Sequence, residues 1–147
     1  MDAPQVRRAS PRRFEQAYWH EGMGGPAGPV VLVHGWPETK RVYARVVEPL
    51  VAAGFEVVVP DLRGFGDSEV GPPGEPFGDV PAHSRDVHAL VHDHLGHDHA
   101  VLVCGDLGGP VVQDLARRFP GFADRMVLFN SPLPYVRGAM DGMRTRP

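Results

Sequence analysis

The chain has 147 residues, 42% of them hydrophobic, which is enough for one globular domain with its own core. Its formal net charge is −3 and its basic residues form no continuous stripe, so there is no electrostatic case for nucleic acid or an anionic membrane as a partner. One cysteine excludes an internal disulfide framework and favours a cytoplasmic location.

The residues before position 29 differ in character from those that follow. The arginine-rich segment 1–13 is expected to be a flexible basic N-terminal tail. Residues 14–20 are aromatic and β-prone and predict an early antiparallel strand.

From residue 29 onward, short apolar segments alternate with helical patterns. Strands are predicted at 29–33, 56–59, 100–103 and 125–129, and helices at 39–53, about 80–95 and 107–119. Strands that are apolar on both faces indicate a sheet covered by helices on both sides. The alternation therefore predicts an α/β fold with a doubly wound, mostly parallel sheet. Ligands bind such sheets beyond the carboxyl ends of the strands, which is where function is expected here.

Residues 101–112 form an apolar strand that enters a cluster of small residues around Asp106 and continues as a helix. Cys104, Gly108 and Gly109 leave room for the sharp strand-to-helix turn called a nucleophile elbow. A carboxylate there attacks carbon and forms an ester, so the substrate would be an electrophile such as an epoxide or an alkyl halide. The alternative is a glycine-rich turn with a capping aspartate.

Two further motifs follow the first two apolar strands. His34-Gly35-Trp36-Pro37 follows the first, and Pro60-Asp61-Leu62-Arg63-Gly64-Phe65-Gly66-Asp67-Ser68 follows the second. Together with the segment around Asp106, they resemble the α/β-hydrolase fold, and His-Gly-Trp-Pro with an aspartate nucleophile resembles its epoxide hydrolase branch. The resemblance covers roughly residues 18–135.

The resemblance implies a role for each matching residue. Asp106 would be the nucleophile, and the backbone N–H groups of Trp36 and Leu107 would form an oxyanion hole. The resemblance also implies a cis Trp36–Pro37 bond and requires no cofactor and no metal ion. The substrate-binding residues would be His34, Gly35, Trp36, Pro37 and Leu107.

Other polar residues near these motifs have structural interpretations. Asp61, Arg63 and Asp67 are expected to form an ion-paired brace beneath the site, and Cys104 a small buried residue of the elbow. Six of the eight histidines lie between residues 83 and 99. His88 and His92 have a spacing that is compatible with zinc, but a solvated helix face is the favoured interpretation.

No histidine follows Asp106, although the chain order in this fold is nucleophile, acid, histidine. The sequence is therefore expected to be the N-terminal half of a hydrolase, truncated before the cap and the last strands. Residues 14–135 would be the N-terminal part of the hydrolase domain, and 136–147 the start of the cap connection. An incomplete sheet predicts an exposed strand edge and marginal stability.

The predicted function is that of an epoxide hydrolase-like enzyme that forms an alkyl ester on Asp106 and hydrolyses it to a diol, with the 147-residue chain inactive alone. The first alternative is a non-catalytic or partner-dependent fragment, completed as a homo-oligomer or by a complementing chain. The second is a haloalkane dehalogenase-like enzyme. Leu107 argues against it. Epoxide hydrolases and haloalkane dehalogenases both commonly have a tryptophan at this position, but in dehalogenases its indole N–H holds the departing halide, and leucine has no such donor.

Overall fold

Six strands and their flanking helices make up most of residues 4–71, 74 and 79–132, which are the residues that this computed structural model describes. The strands are β1 (Arg7–Ala9), β2 (Gln16–Glu21), β3 (Pro29–Val33), β4 (Glu56–Pro60), β5 (Ala100–Gly105) and β6 (Ala123–Phe129). The helices are α1 (Ala44–Ala52), α2 (Val80–His88) and α3 (Gly108–Arg118). A 3₁₀ turn at Lys40–Tyr43 precedes α1, and a π-helical segment at Ala89–His94 continues α2.

The strands form one mixed sheet in the order β1-β2-β4-β3-β5-β6. β3 to β6 run parallel to one another, whereas β1 and β2 are antiparallel to their neighbours. This confirms the predicted mostly parallel sheet, the alternating helices and the early antiparallel strand.

The expectation of a flexible tail over residues 1–13 is wrong for Arg7–Ala9, which form the edge strand β1. Ala9 is buried and pairs with Gln16, and the Arg8 guanidinium lies 2.6 Å from the Glu15 carboxylate. The arginines suggested a solvated tail, but backbone pairing to β2 and one buried alanine hold the segment in place.

Apolar side chains of the inner strands face two layers of helix. On one face, Leu32, Val57 and Val59 pack with Tyr43 and Val47 beneath α1. On the other face, strand residues pack with those of α2, the π-helical segment and α3, including Val31, Val58, Leu102, Val87, Leu90, Val111 and Leu115. Both faces of β3 and β4 are therefore covered, which explains their continuous apolar sequences.

Among the described residues, β6 forms one edge of the sheet and exposes apolar side chains. Met126 is 42% exposed, Val127 51% and Phe129 50%. These values agree with the predicted exposed strand edge. The predicted cap connection at 136–147 lies outside the described residues. Within those residues, no helix has the length and apolar character needed to cross a membrane.

Candidate active site

Asp106 lies at the point where β5 ends and just before α3 begins. Its backbone has a φ of +48°, in the left-handed region that non-glycine residues seldom adopt. Its neighbours must be small: a Cβ on Gly105 would overlap the Phe129 ring, and one on Gly108 would overlap the Val33 carbonyl. The sequence cluster of small residues thus forms a strained strand-to-helix turn that presents one carboxylate.

Two backbone N–H groups converge on one oxygen of this carboxylate. Trp36 N–H donates to Asp106 Oδ1 at 2.8 Å, and Leu107 N–H donates to the same atom at 2.6 Å. Gly35 is what allows the approach, because a Cβ there would overlap the Asp106 side chain. The two donors are those that the resemblance implies for an oxyanion hole.

The loop after β3 places its residues in different environments. Gly35 is buried, whereas Trp36 and Pro37 are exposed, and the Trp36 side chain is 67% exposed. The Trp36–Pro37 bond is cis, as the resemblance implies. Leu107 is half-buried. Trp36, Pro37 and Leu107 are therefore accessible to a substrate, and the indole of Trp36 is not a core aromatic.

His34 cannot contact a substrate through its side chain, which corrects its place among the expected substrate-binding residues. The side chain is fully buried. Its Nε2 accepts the Leu62 N–H at 3.0 Å, and its Nδ1 lies 2.8 Å from the Gly35 carbonyl oxygen. These contacts fit a neutral ring protonated at Nδ1, and burial lowers the pKa of His34. His34 joins the loop after β3 to the loop after β4.

The expected brace exists, but its cation is Lys40. The Lys40 ammonium lies 2.5 Å from both Asp61 and Asp67, and Arg41 lies 2.9 Å from Asp67. The hydrogen bond from Lys40, with further contributions from Lys40 and Arg41 charge, lowers the pKa of Asp67. We call Lys40, Arg41, Asp61 and Asp67 the Lys40 network.

Arg63 lies outside the Lys40 network. It makes a two-pronged ion pair with Asp86 of α2, at 2.9 and 2.8 Å, and both side chains are fully buried. The prediction that Arg63 forms one brace with Asp61 and Asp67 is therefore wrong, because its partner is Asp86. Lys40 was not identified from the sequence. It is the single lysine of the chain, whose other permanently charged basic residues are all arginine.

Cys104 is buried, as expected, and burial raises the pKa of its thiol to about 12. It is therefore a poor nucleophile. The solvated-face interpretation of the histidines is wrong for His83, which is fully buried, and His88 stacks on Phe119 with 3.6 Å between ring centroids. Two groups of described residues could hold a metal ion, and neither includes Asp106 or a residue that contacts it.

Residues 28–143 match the sequence model of the alpha/beta hydrolase fold family. A soluble epoxide hydrolase from Corynebacterium sp. (strain C12) is 41% identical over 92 residues, which are 63% of this chain and 30% of that protein. A haloalkane dehalogenase from Mycobacterium marinum (strain ATCC BAA-535 / M) is 32% identical over 124 residues, which are 78% of this chain and 38% of that protein.

An epoxide hydrolase is also among the solved structures that resemble this chain. Epoxide hydrolase CorEH, solved without ligand, matches with a TM-score of 0.75 and 32% identity over 86% of this chain and 42% of its own. The chain thus spans less than half the length of each of these three proteins.

Proposed function

Because the chain belongs to the α/β hydrolase fold family, we propose that it is the nucleophile-bearing part of an epoxide hydrolase-like enzyme, with Asp106 as nucleophile. The observation that carries the proposal is the convergence of Trp36 N–H and Leu107 N–H on Oδ1 of an aspartate with positive φ. A capping aspartate binds N–H groups of its own turn, whereas Trp36 lies 70 residues away. This long-range donor favours the elbow over the plain turn.

Trp36 N–H and Leu107 N–H both donate to Oδ1 of Asp106, so the first step uses the other carboxylate oxygen, Oδ2. Oδ2 of Asp106 attacks a ring carbon of the epoxide, a C–O bond of the ring breaks, and the ring oxygen leaves as an alkoxide that takes up a proton. The product is an ester in which Oδ1 is the carbonyl oxygen. Trp36 N–H and Leu107 N–H then already lie against the atom that becomes negative in the second step.

In the second step, water attacks the ester carbonyl carbon. Negative charge develops on Oδ1, where the two N–H groups stabilise it, and loss of one such donor costs about 3 kcal/mol of barrier. Collapse of the intermediate releases the diol and restores the Asp106 carboxylate. A general base must activate this water, and no histidine follows Asp106 to serve as one. We therefore expect the 147-residue chain to stop at the ester.

Covalent labelling tests this proposal. The purified chain is incubated with a terminal epoxide such as styrene oxide, and intact-mass and peptide mass spectrometry locate the product. We expect one adduct, on Asp106, with the full mass of the epoxide because no atom leaves. Hydroxylamine should remove it, because the link is an ester.

Two variants test whether the labelling is specific to Asp106. Asp106→Asn should abolish the adduct, whereas Asp98→Asn should not change it, because the Asp98 side chain is 92% exposed and Asp98 lies at the opposite end of β5 from Asp106. Equal labelling of several carboxylates would contradict the nucleophile assignment. Repeated turnover to diol by the purified chain would contradict the expected arrest at the ester.

A haloalkane dehalogenase-like activity is the second candidate, favoured by the similarity to the Mycobacterium marinum protein. The same attack by Asp106 would release halide and leave only the alkyl group on the enzyme. Leucine at position 107 offers no side-chain donor to that halide. Labelling by a 1-haloalkane with halide release, and no labelling by the epoxide, would favour this candidate.

We place the protein in the cytoplasm on its single cysteine, and we expect a small electrophile as substrate. The exposed apolar side chains of β6 support completion of the sheet by further polypeptide, which in the partner-dependent form is a second copy or a complementing chain. Copurification of a polypeptide that supplies a catalytic histidine would support the partner-dependent form.

A further inference from the structure

Three side chains meet at the amino end of the parallel strands, the opposite end of the sheet from Asp106. His20 lies in β2, Glu56 begins β4, and His97 lies in the turn before β5. β5 alone separates the two ends of the sheet by ~17 Å, at about 3.3 Å per residue. The His20–Glu56–His97 cluster is therefore independent of the proposed hydrolase site.

The cluster is ordered around one carboxylate oxygen. His20 Nε2 lies 2.5 Å and His97 Nε2 lies 2.9 Å from Oε1 of Glu56. The other oxygen, Oε2, accepts the Gly24 N–H at 3.0 Å, which fixes the orientation of the carboxylate. The side chains of His20 and Glu56 are each 9% exposed, and that of His97 is 21% exposed. Solvent thus reaches the cluster from the side of His97.

Two imidazole nitrogens and one carboxylate oxygen are ligands that suit zinc, whereas magnesium and calcium prefer oxygen alone. The three ligand atoms lie within 4.8 Å of one another. Zinc bound at ~2.0 Å in tetrahedral geometry separates its ligand atoms by roughly 3.3 Å. Small side-chain movements of His20 and His97 away from Glu56 would therefore admit the ion.

A second group, His88, His92 and Asp93, is less suitable. The rings of His88 and His92 are stacked, with centroids 4.8 Å apart and planes only 19° from parallel. The lone pairs of two stacked imidazoles lie in parallel planes and do not point at one ion. His88 is also held against Phe119. This group serves as the internal comparison for the test.

We propose that His20, Glu56 and His97 bind one zinc ion, with water as the fourth ligand. The ion links β2, the start of β4 and the turn before β5, so its binding stabilises the folded chain. With three protein ligands and an open fourth position, the site binds zinc reversibly.

Zinc titration tests the proposal. The 147-residue chain, freed of any affinity tag and stripped with chelator, is titrated with zinc chloride against a chromophoric competitor. We expect one zinc per chain, and a rise in Tm on the order of 5–10 °C at zinc concentrations ~100 times the Kd. Cobalt(II) in place of zinc should give the visible absorption of a four-coordinate ion.

Matched variants assign the ligands. His97→Ala should weaken zinc binding more than ~100-fold, because loss of an outer partner alone costs 10–100-fold. His92→Ala should leave the affinity and the cobalt absorption unchanged. Failure of the unaltered chain to bind zinc would overturn the proposal, and so would loss of binding in His92→Ala with retention in His97→Ala.

A measurement without variants covers the case in which His97→Ala does not fold. Diethyl pyrocarbonate modifies accessible histidines, and mass spectrometry locates the modified residues. Zinc should protect His97 and leave His92 and His99 reactive. Protection of His92 alone, or of no histidine, would overturn the proposal.

Discussion

The two ends of the sheet hold polar groups in contrasting ways. At the carboxyl end, the Lys40 and Asp61 side chains are fully buried, and backbone N–H groups of Lys40 and Asp67 complete the contacts of Asp61. At the amino end, the His20–Glu56–His97 cluster is open to solvent at His97. Buried charges depend on their partners, whereas a partly exposed member such as His97 can be lost at little cost. The stability of the fold should therefore be most sensitive to substitutions at the carboxyl end of the sheet and to added metal ions at the amino end.

Removal of the Lys40 ammonium should have the largest effect. Lys40→Met keeps the length of the side chain but leaves the Asp61 carboxylate buried without its counter-charge. Loss of one partner from a buried ion pair typically costs about 3–5 kcal/mol. We expect the free energy of unfolding, measured by urea titration, to fall by that amount.

Arg41→Met is the matched control for this prediction. Arg41 also pairs with Asp67, but its side chain is 58% exposed, so its loss should cost about 0–1 kcal/mol. Equal losses for the two variants would show that burial of the Lys40 network does not govern its contribution.

The pH dependence of stability should reveal a second buried group at the carboxyl end. Burial, reinforced by Arg63 and His34, lowers the pKa of His83 from 6.5 to about 4. Between these values the unfolded chain binds the proton and the folded chain does not, so stability is full above pH 6.5 and falls as the pH drops toward 4. The loss should approach ~3 kcal/mol over this window.

His83→Phe should flatten this slope. Within the described part of the chain, neither ring nitrogen of His83 has a hydrogen-bond partner, so phenylalanine loses no such contact and keeps an aromatic ring beside Phe65. A smaller slope of the same sign should remain, because burial also lowers the pKa of His34. An unchanged slope in His83→Phe would contradict the assignment.

The parts of the fold that were predictable are those encoded by neighbouring residues. β3 and β4 are continuous apolar segments, and the turn at Asp106 is a run of small residues around one carboxylate. Each pattern carries its own conformational preference, so the strands, the helices and the strand-to-helix turn at Asp106 could be predicted from the chain. Arg7–Ala9 could not, because pairing with β2 overrides a polar composition.

The partners of the charged groups were not predictable in the same way. Lys40 is 21 residues from Asp61, Arg63 is 23 from Asp86, and His97 is 41 from Glu56. Such contacts arise only when the sheet brings distant segments together, and no spacing along the chain encodes them. His88 and His92 have the spacing of zinc ligands, yet their rings stack. His97 lies beside Glu56 and His20 in the fold, although both are distant from it in the sequence.

A smaller effect on stability is expected from Gly35→Ala, which tests the loop after β3 that carries the Trp36 N–H donor. The new Cβ would overlap the Asp106 side chain and force the loop or the carboxylate to move. Such crowding costs about 1–3 kcal/mol of stability, and displacement of Trp36 N–H from Asp106 should slow labelling of Asp106 by an epoxide. The labelling rate is the decisive measurement, with circular dichroism to check the fold. A normal rate would show that the close approach of Gly35 is not required.

The smallest effect is expected at the amino end without metal. In the presence of chelator, His97→Ala removes one hydrogen bond to the Glu56 carboxylate, while His20 and Gly24 still hold it. Since the His97 side chain is partly exposed, its loss should cost only about 1 kcal/mol in a urea titration. With zinc present, the difference between the unaltered chain and the variant should widen, because only the former gains from binding. A large loss in chelator would instead mean that the amino end, like the Lys40 network, depends on a group that cannot be replaced by water.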